Sequence, residues 1–348
     1  LNVMWKKIID YYKIPEAAKE PSTDSARFKK IRLISFLTAT LGYGMYYVCR
    51  LSMNVIRKPM VDDGVFTETE IGIIGSCLFF TYAIGKFCNG FIADRSNVKK
   101  LMSTGLLISA LINLALGFTN SFIVFAVLWG INGYFQSMGA ASGVVSLSRW
   151  FDASNRGTYY GYWSASHNLG EAITFISIAI LATNFGWRYG LIGAGLIGIA
   201  YFFIMQWLMK DTPQKYGYLL EDATSKKEEK NKADFNASQK TVLCSPAIWI
   251  LALASAFMYI SRYAVNSWGV FYLETMKGYS TLDASFIISI SSVCGIVGTV
   301  ASGLISDKLF KGSRNIPALV FGLMNVLALC LFLLVPGVHF YIDVIAMV

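Results

Sequence analysis

Apolar windows of about 20 residues follow one another along nearly the whole chain, a length that spans the ~30 Å hydrocarbon layer of a bilayer as helix. They lie near 31–54, 72–92, 101–118, 122–147, 158–182, 187–208, 246–275, 282–306 and 316–336. A tenth begins near 339 and runs to Val348. In hydrocarbon each backbone N–H and C=O must be satisfied within its own segment or in a closed barrel, so such windows predict helices. The sequence is 55% hydrophobic and only 15% charged, which is membrane composition. An all-α membrane protein is expected. Because the chain starts at Leu1 and stops inside an apolar window, it reads as part of a longer protein.

Basic residues set the expected orientation, since cytoplasmic loops are enriched in Lys and Arg. The N-terminal arm carries Lys6, Lys7, Lys13, Lys19, Arg27, Lys29 and Lys30, and loops on the same side carry Arg95, Lys99, Lys100, Arg149 and Arg156. The stretch 210–245 adds Lys210, Lys215, Lys226, Lys227, Lys230, Lys232 and Lys240. The opposite loops are poorer in charge: 118–121 has none and 183–189 only Arg188. The N-terminus is therefore expected in the cytoplasm. The net charge of +9 reads as this bias and not as a nucleic-acid surface. The six cysteines are scattered through the spans without metal-site spacing. No cleavable leader is recognisable, because the first 30 residues are polar.

Two arginines interrupt the apolar windows. Arg50 and Arg262 each follow a tyrosine by three residues, as Tyr47-Val-Cys-Arg50 and Tyr259-Ile-Ser-Arg262, at an offset of 212. A charge at the centre of a span costs at least ~2.5–3.5 kcal/mol, so it is rarely accidental. A second element repeats at nearly the same offset: Gly90-Phe-Ile-Ala-Asp94-Arg95 and Gly303-Leu-Ile-Ser-Asp307-Lys308. Parallel repeats are one way to build a transporter with its substrate at the midplane. The expected organisation is an N-terminal arm (1–30), a six-helix bundle (31–209), a mixed-charge linker (210–245) and a second bundle (246–348), incomplete in this chain. Gly90 is expected to permit close helix packing. Asp94 is expected at the N-terminal dipole of the following helix, with Arg95, Lys99 or Lys100 as partners. The motif then reads as a conformational latch.

Together these motifs resemble the major facilitator superfamily. Within it, Arg156-Gly-x-x-x-Gly-Tyr-Trp163-x-x-x-His167-Asn168-x-Gly170 and Gly42-Tyr43-x-x-Tyr46-Tyr47-x-x-Arg50 are similar to the organophosphate:phosphate antiporters. Arg262-Tyr-Ala-Val-Asn266-Ser-Trp268 looks more like the hexose-phosphate branch than the glycerol-3-phosphate branch. The resemblance implies two six-helix bundles in parallel repeat, no cofactor, and a phosphate clamped by Arg50 and Arg262. It carries Lys86, His167, Tyr43, Tyr47, Tyr82, Tyr259 and Trp163 over as further site residues. The chain departs from the pattern at Leu51, where glycerol-phosphate members have lysine, and at Glu171, where many members have glycine.

The residue chemistry fits that implication. Guanidinium groups hold phosphate oxygens bidentately and stay charged. Lys86, one turn from Tyr82, reads as a third cation or as a structural partner of Glu171 or a carbonyl. His167 is a phosphate donor near its titration range or a packing residue. Tyr47 and Tyr259 are expected on the faces of their arginines, and Asn266 is a candidate for sugar hydroxyls. Glu171 is a candidate coupling residue, expected to meet His167 or Lys86. The expected function is exchange of inorganic phosphate for a sugar phosphate, such as a hexose 6-phosphate, across a bacterial inner membrane. A transporter-like receptor signalling to a membrane kinase and a proton symporter are the alternatives. No metal-ligand cluster or catalytic motif suggests an enzyme.

Overall fold

The computed structural model describes residues 6–7, 10–18, 20, 22, 24–218, 244–308 and 315–348. Among the described residues nine long α-helices follow in order, α1 (Ser25–Asp62), α2 (Glu68–Arg95), α3 (Val98–Leu116), α4 (Phe122–Trp150), α5 (Ala153–Phe185), α6 (Trp187–Leu208), α7 (Pro246–Tyr272), α8 (Thr281–Lys308) and α9 (Asn315–Leu334), and after them the shorter α10 (Phe340–Met347). A π-helical turn, Leu273–Lys277, extends α7. No strand occurs among the described residues. Seven of the helices, α2 to α8, are long and apolar enough to cross a membrane. Helix α1 is longer than any of these, but Tyr43, Tyr46, Tyr47 and Arg50 dilute its apolar run.

Local chemistry sets the helix starts. Asp24 caps α1 by accepting from the Arg27 N–H at 2.9 Å. Thr67 and Glu70 cap each other's backbone in a capping box at the start of α2. Asn97 caps α3 by accepting from the Lys100 N–H at 3.0 Å. Short connections between long helices make sequence neighbours run antiparallel, so alternate loops gather on opposite faces. On the face of the N-terminal arm, Arg149 donates to the carbonyls of Ala93, Asp94 and Ser96. On the far face, Arg188 reaches the Gly117 carbonyl and Asn120 from the start of α6.

Helices α1 to α6 pack together, most extensively α2 on α4, α3 on α6 and α1 on α5. Polar side chains stitch α1 to α3 inside this bundle. Ser52 donates to Asn113 Oδ1 at 2.7 Å, Asn113 to the Cys49 carbonyl at 2.8 Å, and Tyr46 to the Met102 carbonyl at 2.6 Å. Lipid offers no hydrophobic drive between helices, so such bonds and close backbone contact hold spans together. The closest approach of α1 and α5 is at Gly44 and Gly170, where a Cβ on Gly170 would lie 2.6–2.8 Å from Gly44 backbone atoms. Helices α7 and α8 meet this bundle through α1 and α5 respectively. At the far end, Lys277 and Tyr279 both bond to the fully buried Asp343 of α10.

The loop motif differs from expectation. The carboxylate at the N-terminus of α3 is Asp211, which accepts from the Val98 N–H at 2.7 Å and pairs with Arg149 at 3.1 Å. Burial pushes the Asp211 carboxyl up, and Arg149 and those N–H groups draw it back. Asp94 contributes its backbone carbonyl to Arg149 instead. Lys99 bonds to the Gln206 carbonyl and Lys100 to the Tyr11 carbonyl, so neither pairs with Asp94. Gly90 is not at a close crossing: a Cβ there would meet nothing within 4 Å. The α2–α4 crossing uses Gly85 and Gly133. Gly303, Asp307 and Lys308 have helical backbone at the end of α8, but their side chains lie outside the described residues, as does the linker from 219 to 243.

Gly170→Ala is expected to force α1 and α5 apart, because backbone atoms cannot yield to the new methyl. Overpacking of this kind costs about 1–3 kcal/mol. A thermal-unfolding scan of the detergent-purified protein checks this; an unchanged midpoint would show that the crossing relaxes freely.

Candidate functional site

The Tyr-x-x-Arg segment of α1 faces α2, α5 and α7. Arg50 is buried at 6% exposure. Its guanidinium lies 4.3 Å from the Tyr82 ring centroid, 5.6 Å from Tyr47, and 5.8 Å from both Phe79 and Tyr263. No carboxylate lies within ion-pair distance of it among the described residues. Four ring faces therefore stabilise this cation in place of an anion. Lys86 sits one turn from Tyr82, 5.1 Å from its ring, with its side chain exposed.

The second segment meets α5. Arg262 Nη2 is 2.8 Å from His167 Nε2 and donates to Asn168 Oδ1 at 3.3 Å. The Glu171 carboxylate lies 3.8 Å from the same nitrogen. A guanidinium has no acceptor, so His167 Nε2 must be the acceptor and its ring proton sits on Nδ1. In this arrangement Nε2 has no proton to offer a ligand. Glu171 is 6% exposed, and its other oxygen accepts from Ser292 of α8 at 3.3 Å. Arg262 keeps 48% of its side chain exposed. The Glu171 side chain of this pair is only 8% exposed, so the guanidinium is open to water while its carboxylate partner is not.

An aromatic wall completes the space. Tyr43 stacks on Trp163 at 4.6 Å, meets Tyr47 edge-on at 5.4 Å, and Tyr47 lies 5.8 Å from the His167 ring. The Trp163 N–H is buried without a partner. Tyr47 stands beside its arginine as the spacing predicts. Tyr259 does not: it stacks on Tyr263 at 5.8 Å, and Tyr263 is the α7 tyrosine that reaches an arginine, Arg50. Glu171 meets Arg262 in place of the expected His167 or Lys86. Asn266 presents its backbone carbonyl, which accepts from Asn54 Nδ2 at 3.2 Å. The sequence reading missed Phe79, Tyr263, Asn168, Ser292 and Asn54. One of these had a legible signal, since Asn54 and Asn266 share the 212-residue offset of the arginines.

Comparison with known proteins places this geometry. A profile of the Major Facilitator Superfamily matches residues 33–348. The chain is similar to the "Membrane sensor protein UhpC" of Salmonella typhimurium, 32% identical over 304 residues, covering 85% of this chain and 69% of that protein. It is also similar to a "Probable hexose phosphate transport protein" of Chlamydia muridarum, 33% identical over 337 residues and covering 92% and 74%. Among solved structures, a bacterial homolog of the human lysosomal transporter Spinster aligns with a TM-score of 0.74 at 18% identity, over 91% of this chain and 72% of that one. At that identity the likeness concerns the fold.

Glu171→Gln removes the carboxylate competing for Arg262. Inorganic phosphate is expected to bind the purified variant about tenfold more tightly, a change of about 1.4 kcal/mol. Equal affinity in calorimetric titrations of variant and parent would assign Glu171 to helix packing through Ser292.

Proposed function

The chain belongs to the Major Facilitator Superfamily, and on that premise we propose that it exchanges inorganic phosphate for a sugar phosphate, of the hexose 6-phosphate type, by alternating access. It is a multi-pass membrane protein of a transporter family. The observation that carries the proposal is the convergence of Arg50 from α1 and Arg262 from α7 on one aromatic space, with Glu171 as the carboxylate beside them. Lys86 supplies a third cation. Three cations against one carboxylate leave a site that matches a phosphate dianion. Tyr43 and Tyr47 offer donors at the wall, and Trp163 backs Tyr43 by stacking on it. The resemblance to a hexose phosphate transport protein supports the sugar.

The division into two bundles joined by the 210–245 linker belongs to the same proposal. So does an inner-membrane location with the N-terminus in the cytoplasm, for which the basic arm and loops argue. The far face of the molecule is then the outside. Rocking of the bundles about the site carries Arg50 and Lys86 through a closed state. Empty, that state buries positive charge in excess of Glu171, which is costly. Loaded with phosphate, the charges match. The empty carrier is slow to cross, and flux becomes exchange.

The likeness to a membrane sensor protein favours a second reading, a receptor that binds the sugar phosphate and signals to a membrane kinase. Binding groups are shared, so transport itself separates the two. Proteoliposomes loaded with phosphate are expected to take up labelled glucose 6-phosphate, and empty ones to take up little. Uptake into empty liposomes on an imposed proton gradient would instead establish a symporter. Binding without uptake in either case would establish the receptor.

Arg50→Lys and Arg262→Lys are each expected to lower exchange at least 100-fold while leaving insertion intact. Lysine keeps the charge but not the planar fork. Robust exchange by both variants, measured in the same liposomes, would overturn the clamp.

A further inference from the structure

A third arginine of α1 has no place in the site described above. Arg57 lies seven residues beyond Arg50, about 10 Å further along the helix toward the far face. It is 3% exposed. Nη2 donates to Asn54 Oδ1 at 3.0 Å, and the guanidinium lies 4.2 Å from the Trp268 ring centroid. Nε and Nη1 are buried with no hydrogen-bond partner. No carboxylate lies within ion-pair distance among the described residues. The nearest basic neighbour in sequence, Lys58, is already neutralised by Asp62 at 2.6 Å. Glu274, in the first part of the α7 extension, accepts from Thr281 at 2.6 Å through one oxygen, and its other oxygen is buried without a partner.

A buried, partly satisfied guanidinium is expensive to keep. Scaffolding does not account for it, because the internal repeat that sets Asn54 opposite Asn266 puts Gly269 at the position of Arg57. Gly75 of α2 packs against Nη2, while α7 covers the guanidinium face with Trp268 and closes the seam beside it with the Asn54–Asn266 bond. Both α7 contacts join the two sets of helices that alternating access must separate on the far side. Separation would uncover a cation with two unpartnered nitrogens, Nε and Nη1, at the mouth of the path, in line with Arg50.

We infer that Arg57 is an outer anion-capture site, which takes the phosphate group of an incoming substrate before Arg50 and Arg262 do. This rests on the exchange reading. The ligand class is a phosphate monoester or inorganic phosphate, recognised by charge-assisted hydrogen bonds to the guanidinium. In the closed state, Trp268 takes the ligand's place against the cation. The unpaired charge also raises the energy of that closed state, so Arg57 favours reopening once the path behind it is empty.

Sided kinetics test the site. In oriented proteoliposomes, Arg57→Gln is expected to raise the external KM for phosphate and glucose 6-phosphate about tenfold, the loss of one charge-assisted contact. The internal KM should stay within about twofold, because the site is covered when the path faces inward. Arg57→Lys should restore most of the external affinity. A rise in the external KM matched by a fall in the internal KM would mean that Arg57 acts only on the conformational equilibrium and would overturn the assignment, as would equal changes on both faces or no change on either.

A binding measurement is independent of the exchange reading. In the Arg50→Lys/Arg262→Lys double variant, residual saturable binding of labelled phosphate from the outside is expected, and adding Arg57→Gln should abolish it. Absence of residual binding, or its persistence without Arg57, would overturn the capture site. Absence of exchange by the parent protein would overturn only the exchange reading.

Discussion

A positive charge inside a membrane protein must be answered by something, and three arginines here are answered in three ways. Arg262 has a carboxylate, an imidazole acceptor and an amide oxygen. Arg50 has the faces of four aromatic rings. Arg57 has one amide oxygen and one indole. The order runs from well neutralised to poorly neutralised. An anion gains most where the protein's own answer is weak. The exposure of Arg262 and the burial of Arg57 therefore matter as much as the charges themselves.

Helix packing decides which residues share that space. Two glycines, Gly44 and Gly170, let α1 and α5 touch backbone to backbone. That contact brings Tyr43 onto Trp163 and Tyr47 beside His167. The junction of α5 with α8 adds Ser292 to Glu171. The junction of α1 with α7 sets Tyr263 against Arg50 and Trp268 against Arg57. Three contacts between the two sets of helices thus involve a residue of the site: Tyr263 with Arg50, Arg262 with His167, and Ser292 with Glu171. A ligand bound there is placed to alter how the sets meet, which is what coupling of binding to movement requires.

On the face of the N-terminal arm, the bonds expected of Asp94 are made by different atoms. Asp211 takes the role expected of Asp94, accepting from the start of α3 and pairing with Arg149. A lone acidic residue just past a span, in a stretch otherwise rich in lysine, was the available signal. Its partner is 62 residues away in sequence, and spacing along one chain does not register such a pairing.

The sequence alone determined the spans, their order and the two Tyr-x-x-Arg segments, because length, hydropathy and short motifs are local properties that the bilayer reads directly. The predicted windows fall inside the observed helices for α1, α2, α4, α5, α6 and α8, and overrun the others by one to three residues. Which side chains meet across helices was decided only by the tertiary structure. Tyr263 reaches an arginine and Tyr259 does not, Glu171 faces Arg262 before Lys86, and Arg57 is sealed under Trp268. These outcomes depend on the rotation of each helix about its axis and the depth of each crossing, which small residues on neighbouring helices set. A one-residue change in that rotation moves a side chain by about 100°, so the local pattern names the candidates and the packing selects among them.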